Sequence, residues 1–175
     1  MAGVLDPMGR GKNHDDLKSI ARLRSNTPEI AICARWRIDA FSDVLGNSYE
    51  QELARLNEFA SVEHEQAGFV AYWGETPAGT CLLAPKEIEP CHPVTPWLAS
   101  LFVAGEFRGR GLGRALVSAV EQEARKLGND QIYLYTDEAE PLYHKLGWTV
   151  AERDVWQGVP TVLMSKRLAF QPKYA

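Results

Sequence analysis

LASLFVAGEFRGRGLGRALVSAVEQEARKLG, residues Leu98–Gly128, sets a strand, a glycine-rich loop and a helix in immediate succession. Together with Trp97, the run to Val103 is almost wholly apolar, as expected of a strand buried on both faces. From Leu112 to Leu127, the residues Leu112, Ala115, Leu116, Ala119, Val120 and Leu127 fall on one helical face, and Arg125, Lys126 and Gly128 supply C-terminal signals. Between them stand Arg108, Gly109, Arg110, Gly111, Leu112, Gly113 and Arg114. A helix start offers unpaired N–H groups and a positive dipole end, and glycines let a phosphate approach the backbone. The arginines add charge and bidentate donors at the same spot. A pyrophosphate fits this description. A dinucleotide fingerprint does not, because its sixth position counted from Gly109 is Arg114. No Gly-Lys-Ser/Thr phosphate loop occurs anywhere in the chain.

Working outward, Ile132 to Tyr135 reads as a strand, and the right-handed crossover rule makes it a parallel partner of Trp97 to Val103. Asp137 to Glu140 has capping-box form and predicts a short helix to Leu146, ended by Gly147. Two strands, Thr149 to Trp156 and Thr161 to Arg167, close the chain around a turn at Gln157 and Gly158. Upstream, Leu17 to Leu23 predicts a strand. Thr27 and Pro28 cap a helix to Phe41, and Ser48 to Gln51 is a capping box opening a helix to Val62. Gly68 to Trp73 and Thr80 to Ala84 read as a hairpin around a turn at Gly74 to Gly79. Pro85 to Pro96 holds four prolines and reads as a loop.

The chain has 175 residues, 45% hydrophobic and 24% charged, which suits one globular domain over residues 16–175 behind a loose tail at 1–15. A net charge of −4 argues against nucleic acid as a partner. Cys33, Cys81 and Cys91 form no paired spacing. The four histidines show no metal spacing, and the adjacent Cys91 and His92 lack two further ligands, so no metal is expected. With no signal peptide and no long apolar run, the reading is cytoplasmic, away from membranes.

The Leu98–Gly128 run resembles the central motif of the GNAT superfamily of N-acetyltransferases, whose pattern is met by Arg108, Gly111 and Gly113. LYTDEAEPLYHKLGW, residues Leu134–Trp148, resembles that family's second motif, with Tyr143, Gly147 and Trp148 in place and Asp137 where many members carry asparagine. The resemblance covers about Leu17 to Leu168. It implies an α/β fold of the α+β type: a central mixed, mostly antiparallel sheet with one splayed parallel strand pair, flanked by about four helices. It implies that Leu101, Phe102 and Val103 present backbone to the pantetheine arm of acetyl coenzyme A. The pyrophosphate then sits on Gly109 to Arg114, and Tyr143 supports the departing thiolate by hydrogen bonding or full proton transfer.

The acceptor expected is a primary amine, on a small molecule rather than a protein. An alkylammonium is neutral about once in 2,500 molecules at pH 7, a cost near 4.6 kcal/mol, so a base must act. Glu87, Glu89 and Asp154, working through water, are the candidates. Trp36, Trp73, Trp97 and Trp156 are candidates to line a pocket for a cationic or aromatic amine. The apolar last hairpin and these tryptophans suggest a homodimer. A different acyl coenzyme A, or coenzyme A binding without catalysis, are the alternative readings.

Overall fold

The computed structural model describes residues 17–87 and 92–169, so the expected tail at 1–15, Glu89 and Cys91 lie outside the described residues. The elements run β1 (Lys18–Arg22), α1 (Pro28–Leu45), α2 (Tyr49–Ser61), β2 (Ala67–Trp73), β3 (Thr76–Ala84), β4 (Trp97–Val103), α3 (Leu112–Lys126), β5 (Gln131–Thr136), α4 (Glu140–Lys145), β6 (Thr149–Trp156) and β7 (Val159–Arg167). The strands form one sheet in the order β1-β2-β3-β4-β5-β7-β6. All neighbours are antiparallel except β4 and β5, which are parallel. The expected mixed sheet with four helices is therefore present. No helix among the described residues is long and apolar enough to cross a membrane.

Two cores flank the sheet. On one face, α3 buries Leu112, Leu116, Val117, Val120 and Ala124 against Cys81, Leu98, Ile132, Leu134 and Met164. Leu112, Leu116 and Val120 belong to the stripe read from the sequence, Ala119 and Leu127 of that stripe pack against the core only partly buried, and Val117 and Ala124 join it. On the other face, α1 and α2 set Ile30, Cys33, Ala34 and Leu56 against Val70, Leu82 and Ala99. That second core draws its strand residues from β2, β3 and β4. On this face, toward the far half of the sheet, His92 meets Tyr135 of β5 and Glu152 of β6.

Several boundaries differ from expectation for identifiable reasons. The β2–β3 turn shrinks to Gly74 and Glu75, because Gly74 takes the left-handed conformation (φ 62°) and Thr76 already pairs with Trp73. Pro77 is tolerated in β3 because that end of the strand projects beyond β4, whose last pair is Gly79 with Val103. Helix α1 continues past Phe41 to Leu45 across a kink at Phe41 (φ −133°, ψ 22°). The capping box at Ser48 and Gln51 forms in full. The one expected at Asp137 does not. There Ala139 is the N-cap, and Glu140 cannot reach back because its carboxylate is held by Arg153 (2.8 and 2.9 Å) and His144 (3.1 Å). Strand β7 begins at Val159, since Gln157 and Gly158 (φ 49° and 82°) make the whole turn.

Candidate active site

Strand β4 was expected to be buried along both faces. Only Trp97, Leu98 and Ala99 are buried, and Ser100 to Val103 are partly exposed. The cause is the parallel neighbour. Strands β4 and β5 share a single register pair, Trp97 with Tyr133, supported by Tyr133 N–H donating to the Pro96 carbonyl (3.0 Å). Beyond that pair the two strands splay, leaving apolar side chains and strand backbone beside a gap.

A bulge aims this backbone. Thr80 pairs with Phe102 and Leu82 with Ala99, so Ser100 and Leu101 together oppose Cys81, and Ser100 is left-handed (φ 53°). The bulge brings the Phe102 carbonyl oxygen to 2.6 Å from where a Cβ on Gly79 would lie, so only glycine is accommodated there. Phe102 turns to α1 and meets Trp36 at 5.4 Å between ring centres. Leu101 and Val103 pack toward the α3 core.

The glycine loop follows. After one 3-10 turn, Gly105–Phe107, the chain passes Gly109 and Gly111, both left-handed at φ 75° and 80°. Gly111 is the N-cap of α3 and has no side chain to cap it. The first helical hydrogen bond there is Ala115 to Gly111 (3.1 Å), which leaves the N–H groups of Leu112, Gly113 and Arg114 facing outward. Leu112 contributes only backbone, its side chain being buried. A Cβ on Gly113 would have as its nearest neighbour Val103 Cγ2 at 3.9 Å, so the helix start presents an open cradle.

The arginines divide the work. Arg108 folds back and its Nε donates to the Val103 carbonyl (2.9 Å), tying the loop to the end of β4. Arg110 lies over the Trp73 and Phe107 rings, with Cζ at 4.8 and 5.7 Å from their centres. Arg114 is exposed on the first turn of α3. One cation was missed in the sequence: Lys18 Nζ lies 3.7 Å from the Cβ position of Gly111. Strand β1 is distant in the chain and local motif reading could not bring it here.

Tyr143 is buried at 6% exposure, edge-on to Trp148 at 5.9 Å. Its backbone carbonyl accepts from Leu146 and Trp148, and Trp148 Nε1 donates to Glu121, which also receives Lys166 Nζ at 2.8 and 2.9 Å. Burial, with a smaller contribution from Cys81 and Glu87, raises the Tyr143 pKa well above that of an ordinary phenol. The hydroxyl therefore stays protonated and is a hydrogen-bond donor at neutral pH. Glu87 is pushed up to about 7 by burial, against the opposing pull of Arg37. Arg37 itself is buried, with Nε donating to Glu52. Asp154 is exposed and its carboxylate caps the next backbone N–H, that of Val155 (2.7 Å).

The four tryptophans do not converge on one pocket. Trp73 lies under Arg110, Trp36 against Phe102, and Trp97 is 2% exposed between Tyr133 and Tyr135. Trp156 sits at the end of β6. Burial of Trp97 removes part of the argument for a dimer through exposed tryptophans, while Val155 and Val159 of the last hairpin remain exposed.

The model of the acetyltransferase (GNAT) family matches residues 30–148, from α1 through both motifs. The chain belongs to this family. Over 79 residues it is 35% identical to a mycothiol acetyltransferase of Pseudarthrobacter chlorophenolicus, covering 41% of this chain and 24% of that protein. The match thus spans about a quarter of that relative's length. An aminoglycoside 6'-N-acetyltransferase complexed with coenzyme A superposes with a TM-score of 0.68 at 18% identity, over 89% of this chain and 99% of the other. An acetyltransferase of Salmonella typhimurium with its cofactor acetyl-CoA gives 0.65 at 19% identity, over 89% and 96%. At such identities the likeness shows the GNAT fold. Among the described residues no group of three metal-ligating side chains converges.

Proposed function

We propose that this GNAT protein transfers the acetyl group of acetyl-CoA to the primary amine of a small molecule. The observation that carries the reading is the splayed β4–β5 pair ending at an uncapped, glycine-lined helix start. Leu101, Phe102 and Val103 offer strand backbone to the pantetheine arm, and the N–H groups at Leu112, Gly113 and Arg114 receive the pyrophosphate. Gly109 and Gly111 shape the loop, while Arg108 and Arg110 fix it and Lys18 and Arg114 add positive charge. The bound thioester supplies an activated acetyl carbonyl. Two solved GNAT structures with coenzyme A or acetyl-CoA, and the acetyltransferase names of the relatives, support this choice of co-substrate.

Tyr143 donates a hydrogen bond to the leaving sulfur. Its raised pKa makes full proton transfer to a thiolate, whose own pKa is about 8.5, uphill, so hydrogen-bond support is the favoured role. Glu87, one of the carboxylates considered from the sequence, changes charge near neutral pH. A homodimer and a cytoplasmic setting belong to the same proposal. The test is thiol release from acetyl-CoA against a panel of a diamine, an amino sugar and an arylethylamine, alongside propionyl and succinyl thioesters. Release with an acetyl-bearing amine product supports the reading. Tight acetyl-CoA binding with no transfer to any amine would favour a non-catalytic binding module.

A further inference from the structure

On the sheet face opposite α3, three strands bring one row of side chains to a common level. Tyr135 of β5 pairs with Leu163 of β7, and Leu163 with Glu152 of β6. Ile132, Leu134 and Thr136 alternate toward the α3 side, so Tyr133 and Tyr135 point the other way. Across this row lies His92. Its Nδ1 meets the Tyr135 hydroxyl at 2.5 Å and its Nε2 meets a Glu152 carboxylate oxygen at 3.0 Å. Leu163 is buried beneath.

The chemistry of the partners fixes the polarity of the chain. An ionised carboxylate only accepts, so Nε2 carries the proton and donates to Glu152. Nδ1 is then bare and accepts the Tyr135 O–H. The location gives this arrangement a use. Trp97 and Tyr133 are the one β4–β5 register pair, so Ala99 and Tyr135, each two residues on, stand at the start of the splay. Tyr135 is stacked on Trp97 at 4.7 Å and remains partly exposed there.

We propose that Tyr135, His92 and Glu152 form the proton relay that receives the acceptor amine, a role resting on the acetyl transfer proposed above. The Tyr135 oxygen accepts an N–H of the incoming ammonium. As that N–H bond breaks, its electron pair stays on nitrogen, its proton passes to the Tyr135 oxygen, and the hydroxyl proton passes to His92 Nδ1. Glu152 stabilises the resulting imidazolium through Nε2–H. The freed pair forms the C–N bond to the acetyl carbon while the C–S bond breaks with its pair left on sulfur. The second proton lost by nitrogen goes to that sulfur, beside Tyr143. The relay resets after the product leaves, when Nδ1 returns its proton to the Tyr135 oxygen as that oxygen gives the ammonium-derived proton to water, which restores the resting form with Nε2–H on Glu152. Tyr135 is then a catalytic residue, and His92 and Glu152 act through it.

The test compares wild type with His92→Ala, His92→Gln, Tyr135→Phe and Glu87→Gln, using the same three amines. Acetyl-CoA thermal shifts certify each fold. His92→Ala and Tyr135→Phe should lose about 100-fold in turnover with acetyl-CoA affinity unchanged. Added imidazole should recover about tenfold for His92→Ala and nothing for Tyr135→Phe. His92→Gln, which can hydrogen-bond to both partners but not carry a proton, should stay impaired. Nitrogen NMR of the resting protein should show His92 protonated at Nε2. Wild-type turnover in His92→Ala overturns the relay, as does a loss that imidazole leaves untouched, or an Nδ1–H tautomer. A Glu87→Gln loss larger than that of His92→Ala also overturns it, since the carboxyl would then be the base. A wild type inactive on all three amines overturns the transfer reading itself, whereas an active wild type beside an unaffected His92→Ala removes the relay alone.

Discussion

The two halves of the cleft are built from different materials. The half proposed for the cofactor is mostly backbone: a bulged strand end, two left-handed glycines and an uncapped helix start, all within residues 99–114. The half proposed for the acceptor is made of side chains brought together from far apart, His92 reaching 43 residues to Tyr135 and 60 to Glu152. Backbone cradles tolerate changes in neighbouring side chains as long as glycine conformations survive. A side-chain relay fails with any one member. Substitutions in the two halves should therefore separate binding from turnover, and the support beneath them should affect stability alone.

The largest effect is expected at that support. Glu121 is buried and receives Trp148 Nε1 and Lys166 Nζ, so Glu121→Ala leaves both without their carboxylate and should cost about 3–5 kcal/mol in denaturant unfolding. A loss below about 1 kcal/mol would mean that water replaces the carboxylate and that Tyr143 does not depend on this seat. Next, Tyr143→Phe keeps the ring on Trp148 and removes the donor. Turnover should fall about 10- to 1,000-fold with acetyl-CoA affinity within a few-fold. A matching loss of melting temperature with unaltered turnover would make Tyr143 a packing residue.

Lys18→Ala tests whether β1 contributes to the cofactor half. Calorimetry should give a roughly three- to tenfold weaker acetyl-CoA affinity, the effect being larger at low salt, as for a partly exposed charge near a phosphate. An unchanged constant would confine the cradle to the β4–α3 segment. The smallest effect concerns Glu87. Its folded pKa, about 7, exceeds the ordinary 4.5, so the native state holds a proton that the unfolded chain releases between those values. Stability from this group is full below about 4.5 and is lost as pH rises through 7. Glu87→Gln should thus raise the melting temperature by a few degrees at pH 8 relative to its effect at pH 5. The reverse order would show that Arg37 outweighs burial.

Sequence legibility followed the same division. Helix α3 and the loop before it were readable because apolar period, glycine spacing and helix-end signals are local properties of one segment. Strand β4 was placed correctly, yet its apolar run alone read as buried on both faces, and only the family resemblance implied the splay, which depends on β5 diverging after Tyr133. The Asp137 capping box failed because a partner 13 residues beyond Glu140, Arg153, took the carboxylate the box required. Glu87 was among the candidate bases, but its raised pKa comes from tertiary burial. His92 looked like half of an incomplete metal pair, because nothing near it in the chain points to Tyr135 or Glu152. Residues that act across strands carry no spacing to read.

The most direct measurement is a paired calorimetric and kinetic comparison of Gly113→Glu with His92→Ala. At Gly113 the backbone is ordinary helix with room for a side chain, so glutamate enters the cradle without distorting the fold and sets a negative charge where the pyrophosphate is proposed to bind. Gly113→Glu should lose acetyl-CoA binding, and with it the roughly 2.7 kcal/mol of stabilisation that the wild type gains at one hundred times its dissociation constant. His92→Ala should bind acetyl-CoA like the wild type and transfer acetyl poorly. A folded Gly113→Glu protein that binds acetyl-CoA at wild-type affinity would contradict the account.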